Sequence, residues 1–186
     1  MLILKYIHGE NIFEKFSNQR EALIEQFKKG DISKKEFIEQ NYSYIKRMDL
    51  KPFNNVDSFD KAIFNYQYYN MMAKYCYLQS KEMRRNTKHV DLTKDLMGKV
   101  NYNYRKKDDS TLKAIELLNY SNVEAYYIKV SSENLKEQLF EVVFKDYPQI
   151  ILHSRNQWLV NRLRDEMVFK EGVRRSLIDN YINEKY

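Results

Sequence analysis

The sequence contains little cysteine, proline and glycine, and each shortage excludes a class of protein. Cys76 is the only cysteine among 186 residues, so the chain can form neither an internal disulfide nor a cysteine-based zinc framework. A single cysteine is typical of proteins from a reducing compartment. Two prolines and four glycines are too few for an all-β fold with many tight turns, and they favour long helices.

Long apolar runs are also lacking. No stretch approaches the roughly 18 apolar residues that span a bilayer. The apolar start, Met1–Leu4, is interrupted by Lys5 and is too short for the apolar region of a signal peptide. We therefore expect no membrane association and a cytoplasmic location.

Residues that carry catalysis or bind metals are sparse. The only histidines are His8, His89 and His153, and none has a metal-ligand spacing to another histidine or to Cys76. Cys76 lies in an aromatic segment and is expected to be a buried apolar residue rather than a nucleophile. The sequence predicts no catalytic residue, no metal and no cofactor, which favours a non-enzymatic protein over an enzyme.

The net charge is concentrated in one short stretch. Residues 81–107 contain nine Lys/Arg and three Asp/Glu, which equals the net charge of +6 of the whole chain. Clustered cations bind nucleic-acid phosphates, and Tyr102 and Tyr104 are placed to stack on bases. The candidate nucleic-acid residues are Arg84, Arg85, Lys88, Arg105, Lys106 and Lys107. The simpler interpretation, which we favour, is a solvated helix face whose charge pairs with carboxylates elsewhere.

The first half of the chain has the pattern of a helical region. A helical period runs from Ile12 to Phe27 and stops at Gly30. Residues 33–36 form a capping box flanked by Ile32 and Phe37 as a hydrophobic staple, which predicts an αα-hairpin. A third helix, capped by Asp57 or Ser58, is predicted to reach about Arg85. Apolar and aromatic residues cover nearly its whole circumference, so we expect a central, buried helix rather than an exposed aromatic platform.

In the second half of the chain, the spacing of the apolar residues changes from that of a helix to that of a strand, which predicts a small sheet. Residues 108–110 are expected to cap a helix, and residues 125–130 and 150–152 are predicted to form strands. A helix capped by Ser132 is predicted between these strands, which would make a βαβ unit with parallel strands. Residues 2–7 are the candidate for a third strand. Two more helices are predicted, beginning near residues 154 and 173.

These elements predict a mainly helical α+β protein with one domain over residues 1–186. A helical subregion of about 1–107 would pack on an α/β subregion of about 108–186. In such units ligands bind beyond the carboxyl ends of the parallel strands, where helix N-termini attract anions. The candidate anion-binding residues there are Ser131, Ser132, His153, Ser154, Arg155 and Asn156. Ser132 and Ser154 also fit as ordinary helix caps, which is the interpretation we favour.

Four segments resemble a known family. Residues 64–70, 123–128, 151–154 and 176–186 together resemble small uncharacterised bacterial proteins of clostridial type, known only as a domain of unknown function. The resemblance implies a bacterial cytosolic protein. It implies no activity and supplies no functional residues.

The sequence leaves three functional hypotheses. The leading one is a non-enzymatic cytoplasmic binding or regulatory protein that acts through a protein partner or as a homodimer. The second is nucleic-acid binding through the basic stretch at 81–107. The third is an anion- or phosphate-binding protein, or an enzyme, that uses the strand ends near Ser132 and His153.

Overall fold

The computed structural model describes residues 12–84, 90–117, 126–134, 137–144 and 147–154. The helices are α1 (Ile12–Lys29), α2 (Lys34–Arg47), α3 (Phe59–Arg84) and α4 (Val90–Leu117), and the strands are β1 (Tyr126–Asn134), β2 (Glu137–Phe144) and β3 (Tyr147–Ser154). The protein is therefore mainly helical, as predicted. The chain divides into two compact units, Met1–Ser110 and Thr111–Tyr186.

The first two helices begin and end where the sequence predicts. Gly30 adopts a φ of +80°, a left-handed conformation that ends α1 without the strain a side chain would add. Ser33 then caps α2. Its Oγ accepts a hydrogen bond from the Glu36 amide at 3.2 Å, and its own amide donates to Glu36 Oε2 at 2.7 Å. The predicted capping box is confirmed, and it fixes the start of α2.

Helix α3 is the central element of the first unit. Five successive residues, from Ala62 to Tyr66, are buried. Because successive residues of a helix project about 100° apart, this run covers the whole circumference. Phe64 packs on Phe16 of α1 with ring centroids 5.2 Å apart, and Ile45 of α2 and Met71 belong to the same core cluster. The prediction of a central, buried helix is confirmed.

Helix α4 begins well before the helix that the sequence predicts from residues 108–110. It runs without a break through Gly98 and through residues 108–110, which were expected to begin a new helix. A glycine inside a helix costs only about 1 kcal/mol, which the surrounding turns can absorb. Ser110 donates its hydroxyl to the Lys106 carbonyl at 2.8 Å, so it bonds back within the helix instead of capping one.

The strands form an antiparallel three-stranded sheet with the order β1-β2-β3. The predicted βαβ unit was wrong, because the segment expected to be its helix is the middle strand β2. Leu139, Val142 and Val143 fit a helical period, but the same apolar run is rich in β-branched and aromatic residues. A short run of this kind does not distinguish a strand from a buried helix. Along β3, buried Ile150 and Leu152 alternate with exposed Ile151 and His153, which is the period of a strand.

Some predicted elements lie outside the described residues. These are the candidate strand at residues 2–7 and the two helices expected to begin near residues 154 and 173. In the part of the chain that is described, none of the helices has an apolar stretch that could cross a bilayer.

The segment between α2 and α3 is held by one side chain. Asn65 of α3 accepts a hydrogen bond from the Phe53 amide at 2.8 Å and donates one to the Phe53 carbonyl at 2.9 Å. Asn65 is itself buried. A single amide thus satisfies both backbone polar groups of a residue whose ring also contacts Phe64.

We expect Asn65→Ala to destabilise the protein by on the order of 2 kcal/mol, because two hydrogen bonds are lost and two backbone groups are left unsatisfied. Urea denaturation followed by circular dichroism measures the change. Asn54→Ala, at an exposed position in the same segment, is the matched control and should change stability by less than about 0.5 kcal/mol. Equal effects of the two substitutions would contradict the role of Asn65.

Candidate functional site

The residues predicted to bind nucleic acid do not share one environment. Arg84 and Arg105 are exposed, Lys106 is partly buried, and Lys107 is only 6% exposed. Arg85 and Lys88 lie outside the described residues. Because Arg105, Lys106 and Lys107 are consecutive in α4, their side chains leave the helix in three different directions. Lys107 therefore belongs to the interior of the first unit, while Arg84 and Arg105 remain available at the surface.

The predicted anion-binding residues lie at one end of the sheet, in an arrangement that differs from the prediction. Ser131 and Ser132 are in β1, and His153 and Ser154 are in β3. Both strands run antiparallel to β2, so their carboxyl ends do lie at the same end of the sheet, separated by the middle strand. The element that follows β1 is a strand, so no helix N-terminus follows Ser132. Arg155 and Asn156 lie outside the described residues.

The surroundings of His153 are acidic. Glu141 lies opposite His153 in the register of β2 and β3, and His153 Nδ1 is 3.5 Å from Glu141 Oε1. A carboxylate at this distance repels an anion. The described part of the strand end therefore does not favour a phosphate or carboxylate ligand.

A different group of residues forms the most unusual polar feature of the structure. Lys74 of α3 interacts electrostatically with Arg20 of α1 and Lys107 of α4, and we refer to these three residues as the cationic cluster. Arg20 follows Phe16 by four residues and precedes Leu23 by three, and both neighbours are core residues. Arg20 therefore projects from the apolar face of α1 rather than toward solvent.

One nitrogen of the Arg20 guanidinium has no hydrogen-bond partner among the described residues. Part of the residue is accessible, but its Nη1 atom exposes less than 1 Å² and makes no hydrogen bond to the described residues. Burial lowers the pKa of Arg20, and the nearby Tyr66 phenol partly opposes this effect. Buried polar atoms are nearly always hydrogen-bonded in proteins, so an atom with no partner among the described residues is a candidate for binding a group outside them.

Lys74 lies among other positive charges. Desolvation lowers its pKa to about 8, with further contributions from the charges of Arg20, Lys107 and Lys34. Tyr66 and Lys74 are eight residues apart in α3, so they lie on the same side of the helix about two turns apart. Arg20 acts electrostatically on both residues, which indicates that it approaches α3 along this stretch.

Lys107 is the best compensated member of the cationic cluster. Its Nζ lies 5.8 Å from the ring centroid of Tyr66 and 5.3 Å from that of Tyr104, within the range of cation–π attraction. The same ammonium is 3.7 Å from Asp108 Oδ1, and both side chains are buried. Among the described ion pairs, Asp108 is the one carboxylate in contact with the cluster.

The cationic cluster is suited to binding an anion. It offers the donors of one guanidinium and two ammonium groups, and the Tyr66 hydroxyl lies close to them. Among the described residues, no three His, Cys, Asp or Glu side chains lie close enough together to hold a metal ion. Cys76 is buried, as predicted, and burial raises the pKa of its thiol, which keeps it in the unreactive form.

The sequence contained a signal for this site that the prediction overlooked. In the helical period of α1, Arg20 stands in the apolar stripe between Phe16 and Leu23, which are the positions used to predict the helix. Lys74 is likewise a cation inside the helix predicted to be buried on all sides. A charged residue on a face expected to be buried indicates either a paired charge or a binding site.

The chain matches the family of unknown function DUF6648 over residues 6–186 and belongs to this family. The expected resemblance to a family without an assigned function is confirmed, and the comparison does not bear on a clostridial origin. No curated protein and no solved structure shows significant similarity to the chain. Any function must therefore be argued from the residues themselves.

We expect Lys74→Met to stabilise the ligand-free protein at pH 7 by on the order of 2 kcal/mol, because methionine keeps the apolar stem and removes a desolvated charge. The ordinary pKa of 10.5 applies to the unfolded chain, whereas the folded pKa is about 8. The penalty on the folded state is complete below pH 8 and is lost as the pH rises toward 10.5. The advantage of the variant should therefore disappear over this range.

Urea denaturation of the wild-type chain and of Lys74→Met, at intervals from pH 6 to pH 10, measures this difference. Lys81→Met, at an exposed lysine of the same helix, is the matched control and should show no such pH-dependent advantage. A Lys74→Met variant that is less stable than the wild type at pH 7 would show that the ammonium is already compensated within the chain.

Proposed function

We propose that this protein is a non-enzymatic binding protein whose ligand is an anion held by Arg20, Lys74 and Lys107. The observation that carries the proposal is the buried Nη1 of Arg20, which has no hydrogen-bond partner among the described residues. The lowered pKa of Lys74, which results from desolvation and from the charges of Arg20, Lys107 and Lys34, supports the same conclusion. A bound anion would satisfy the guanidinium and offset the repulsion among the three cations.

The arrangement supports binding rather than catalysis. The cationic cluster supplies hydrogen-bond donors, whereas general acid–base catalysis commonly uses a second group that accepts the proton. Asp108 is the acceptor in contact with the cluster, and it already lies against Lys107. A reducing bacterial cytoplasm, which fits the single buried cysteine, is the location we propose.

A protein partner is a weaker candidate for the bound species. The sequence suggested that an exposed Tyr/Met patch on α3 would recruit one. Within Phe59–Arg84, Tyr77 is the large apolar side chain that remains well exposed. One exposed ring does not make the contiguous apolar patch that marks a protein interface.

We expect inorganic phosphate to bind the full chain with a stoichiometry of one and to raise its melting temperature. At 100 times the dissociation constant, the added stability is about 2.7 kcal/mol. Isothermal titration calorimetry and thermal denaturation at constant ionic strength measure these two effects. Arg20→Met and Lys74→Met should abolish binding while leaving the chain folded, since each replaces a charge with an apolar side chain of similar length.

Matched controls separate this site from general anion effects. Arg105→Met and Lys81→Met remove exposed cations from α4 and α3, and both variants should bind phosphate as the wild type does. Phosphate also stabilises proteins non-specifically by exclusion from their surface, and that effect would be equal in all variants. Equal stabilisation of the wild type and Arg20→Met would therefore overturn the proposal.

Nucleic-acid binding remains a second candidate, favoured by one specific observation. Tyr102 is 56% exposed, the Nζ of Lys106 lies 5.9 Å from the centroid of its ring, and Arg105 beside them is exposed. An exposed ring beside two cations is the combination that single-stranded nucleic acids bind, by stacking and phosphate contact. This surface does not include Lys107.

If this surface binds single-stranded RNA, replacement of Arg84, Arg85, Arg105 and Lys106 by Glu should abolish the binding. About four neutralised phosphates predict a slope of log K against log salt near −3 for the wild type. Fluorescence anisotropy with labelled single-stranded RNA and duplex DNA over a salt series provides the measurement. Arg20→Met is the control, because Arg20 belongs to α1 and not to the surface around Tyr102. Absent binding, or unchanged binding by the Glu variant, would eliminate this candidate.

A further inference from the structure

We infer that one face of the Tyr102 ring is a stacking position for an unpaired base of single-stranded nucleic acid, and that Gly98 keeps this face accessible. The inference rests on the second candidate function, because it names the residue of the exposed surface on α4 that contacts a base. It does not involve the cationic cluster. Three features of α4 support it: the exposure of the ring, the glycine beside the ring, and the charge of the surrounding turns.

The Tyr102 ring stands at the surface between two different neighbours. Among the described residues Tyr102 is the most exposed large hydrophobic side chain, at 56%. Lys106, four residues later, holds its Nζ 5.9 Å from the ring centroid, so a cation lies over one face of the ring. Side chains of a helix lean toward its N-terminus, which places the ring over the preceding turn, where Gly98 lies four residues earlier. The face opposite Lys106 therefore adjoins Gly98.

The described part of the fold does not require a glycine at position 98. Gly98 has no positive φ, so its backbone conformation is open to any residue. A Cβ at this position would meet no atom within 4 Å, so neither the Tyr102 ring nor a packed element excludes a side chain there. Glycine is also one of the least favourable residues in a helix interior. Its effect is to leave the space beside the ring empty, because a long side chain four residues before Tyr102 would lie against it.

The turns around the ring are positively charged. Residues 98–106 contain Lys99, Arg105 and Lys106 and no Asp or Glu. Asp95, on the preceding turn, pairs with Lys99 at 2.8 Å, and Arg105 and Lys106 are the cations closest to the ring in the sequence. An aromatic ring beside cations binds single strands, because the ring stacks on a base while the cations contact phosphates. The bases of a duplex are already stacked on one another, so this surface favours a single strand.

Stacking makes the affinity depend on the bases, which phosphate contacts alone do not. Fluorescence anisotropy with the full chain compares a labelled single-stranded RNA with an abasic strand of the same length and with duplex DNA. We expect the RNA to bind about tenfold more tightly than the abasic strand, because stacking of one base on one ring contributes about this factor. Tyr102→Leu should weaken RNA binding about tenfold and leave binding of the abasic strand unchanged. Tyr102→Trp keeps a ring and should bind RNA at least as tightly as the wild type.

Gly98→Leu tests the accessible face without removing the ring. Leucine favours a helix and its Cβ would meet no atom, so this variant should melt at a higher temperature than the wild type. It should nevertheless bind RNA about tenfold more weakly, because the leucine side chain lies against the open face of the ring. Asn101→Leu is the matched control: it adds the same side chain at an exposed position of α4 that points about 100° away from Tyr102, and it should bind RNA as the wild type does.

The possible failures are distinguishable. Absence of RNA binding by the wild type would overturn both the inference and the second candidate function. RNA binding that is lost in the Glu variant but unchanged in Tyr102→Leu and Gly98→Leu would overturn the stacking position and leave the nucleic-acid surface in place. Equal affinity for the RNA and the abasic strand, or for the RNA and the duplex, would also overturn the stacking position.

Discussion

The burial of α3 on all sides is the constraint on which the rest of the first unit depends. Lys81 and Arg84, near the end of the helix, are exposed, but a polar residue on its buried part cannot reach solvent and must be satisfied inside the protein. Asn65 meets this requirement by bonding both backbone groups of Phe53, and Ser80 does so by donating to the Tyr77 carbonyl at 2.8 Å. The bonds of Asn65 join the segment before α3 to this helix, whereas the bond of Ser80 lies within it. The position of the helix therefore follows from its polar residues as much as from its aromatic ones.

Lys74 and Arg20 are the exceptions to this pattern. Asn65 and Ser80 of α3 have partners within the chain, but Nη1 of Arg20 has none among the described residues, and desolvation, with the charges of Arg20, Lys107 and Lys34, lowers the pKa of Lys74. An apolar side chain at either position would stabilise the folded state more than a cation does. Since these two residues destabilise the very region that the other polar groups stabilise, their presence is better explained by a ligand than by the fold.

Capping residues and the spacing of apolar residues correctly predicted the elements in which the local sequence and the tertiary structure favour the same conformation. The capping box at Ser33, the left-handed Gly30 and the all-round apolar α3 were each readable from a few residues, because cap geometry and helical period act locally. The errors in secondary structure arose where the same short sequence is compatible with both a helix and a strand. The run from Leu139 to Phe144 fits a helix and a strand equally, and only pairing with β1 and β3 decides between them. The site was missed for a related reason, since Arg20, Lys74 and Lys107 are separated by 54 and 33 positions and only packing brings them together.

The basic stretch shows why charge in a sequence is an incomplete guide to function. Arg105, Lys106 and Lys107 look equivalent in the sequence, yet the helix exposes the first and buries the third. A buried cation interacts through a lower effective dielectric than an exposed one, so its attraction for an anion is stronger and less screened by salt. The density of charge drew attention to the exposed members, but the atom without a partner among the described residues belongs to Arg20, which lies outside the basic stretch. The desolvation of a charge, rather than the number of charges, therefore identifies the candidate binding site of this protein.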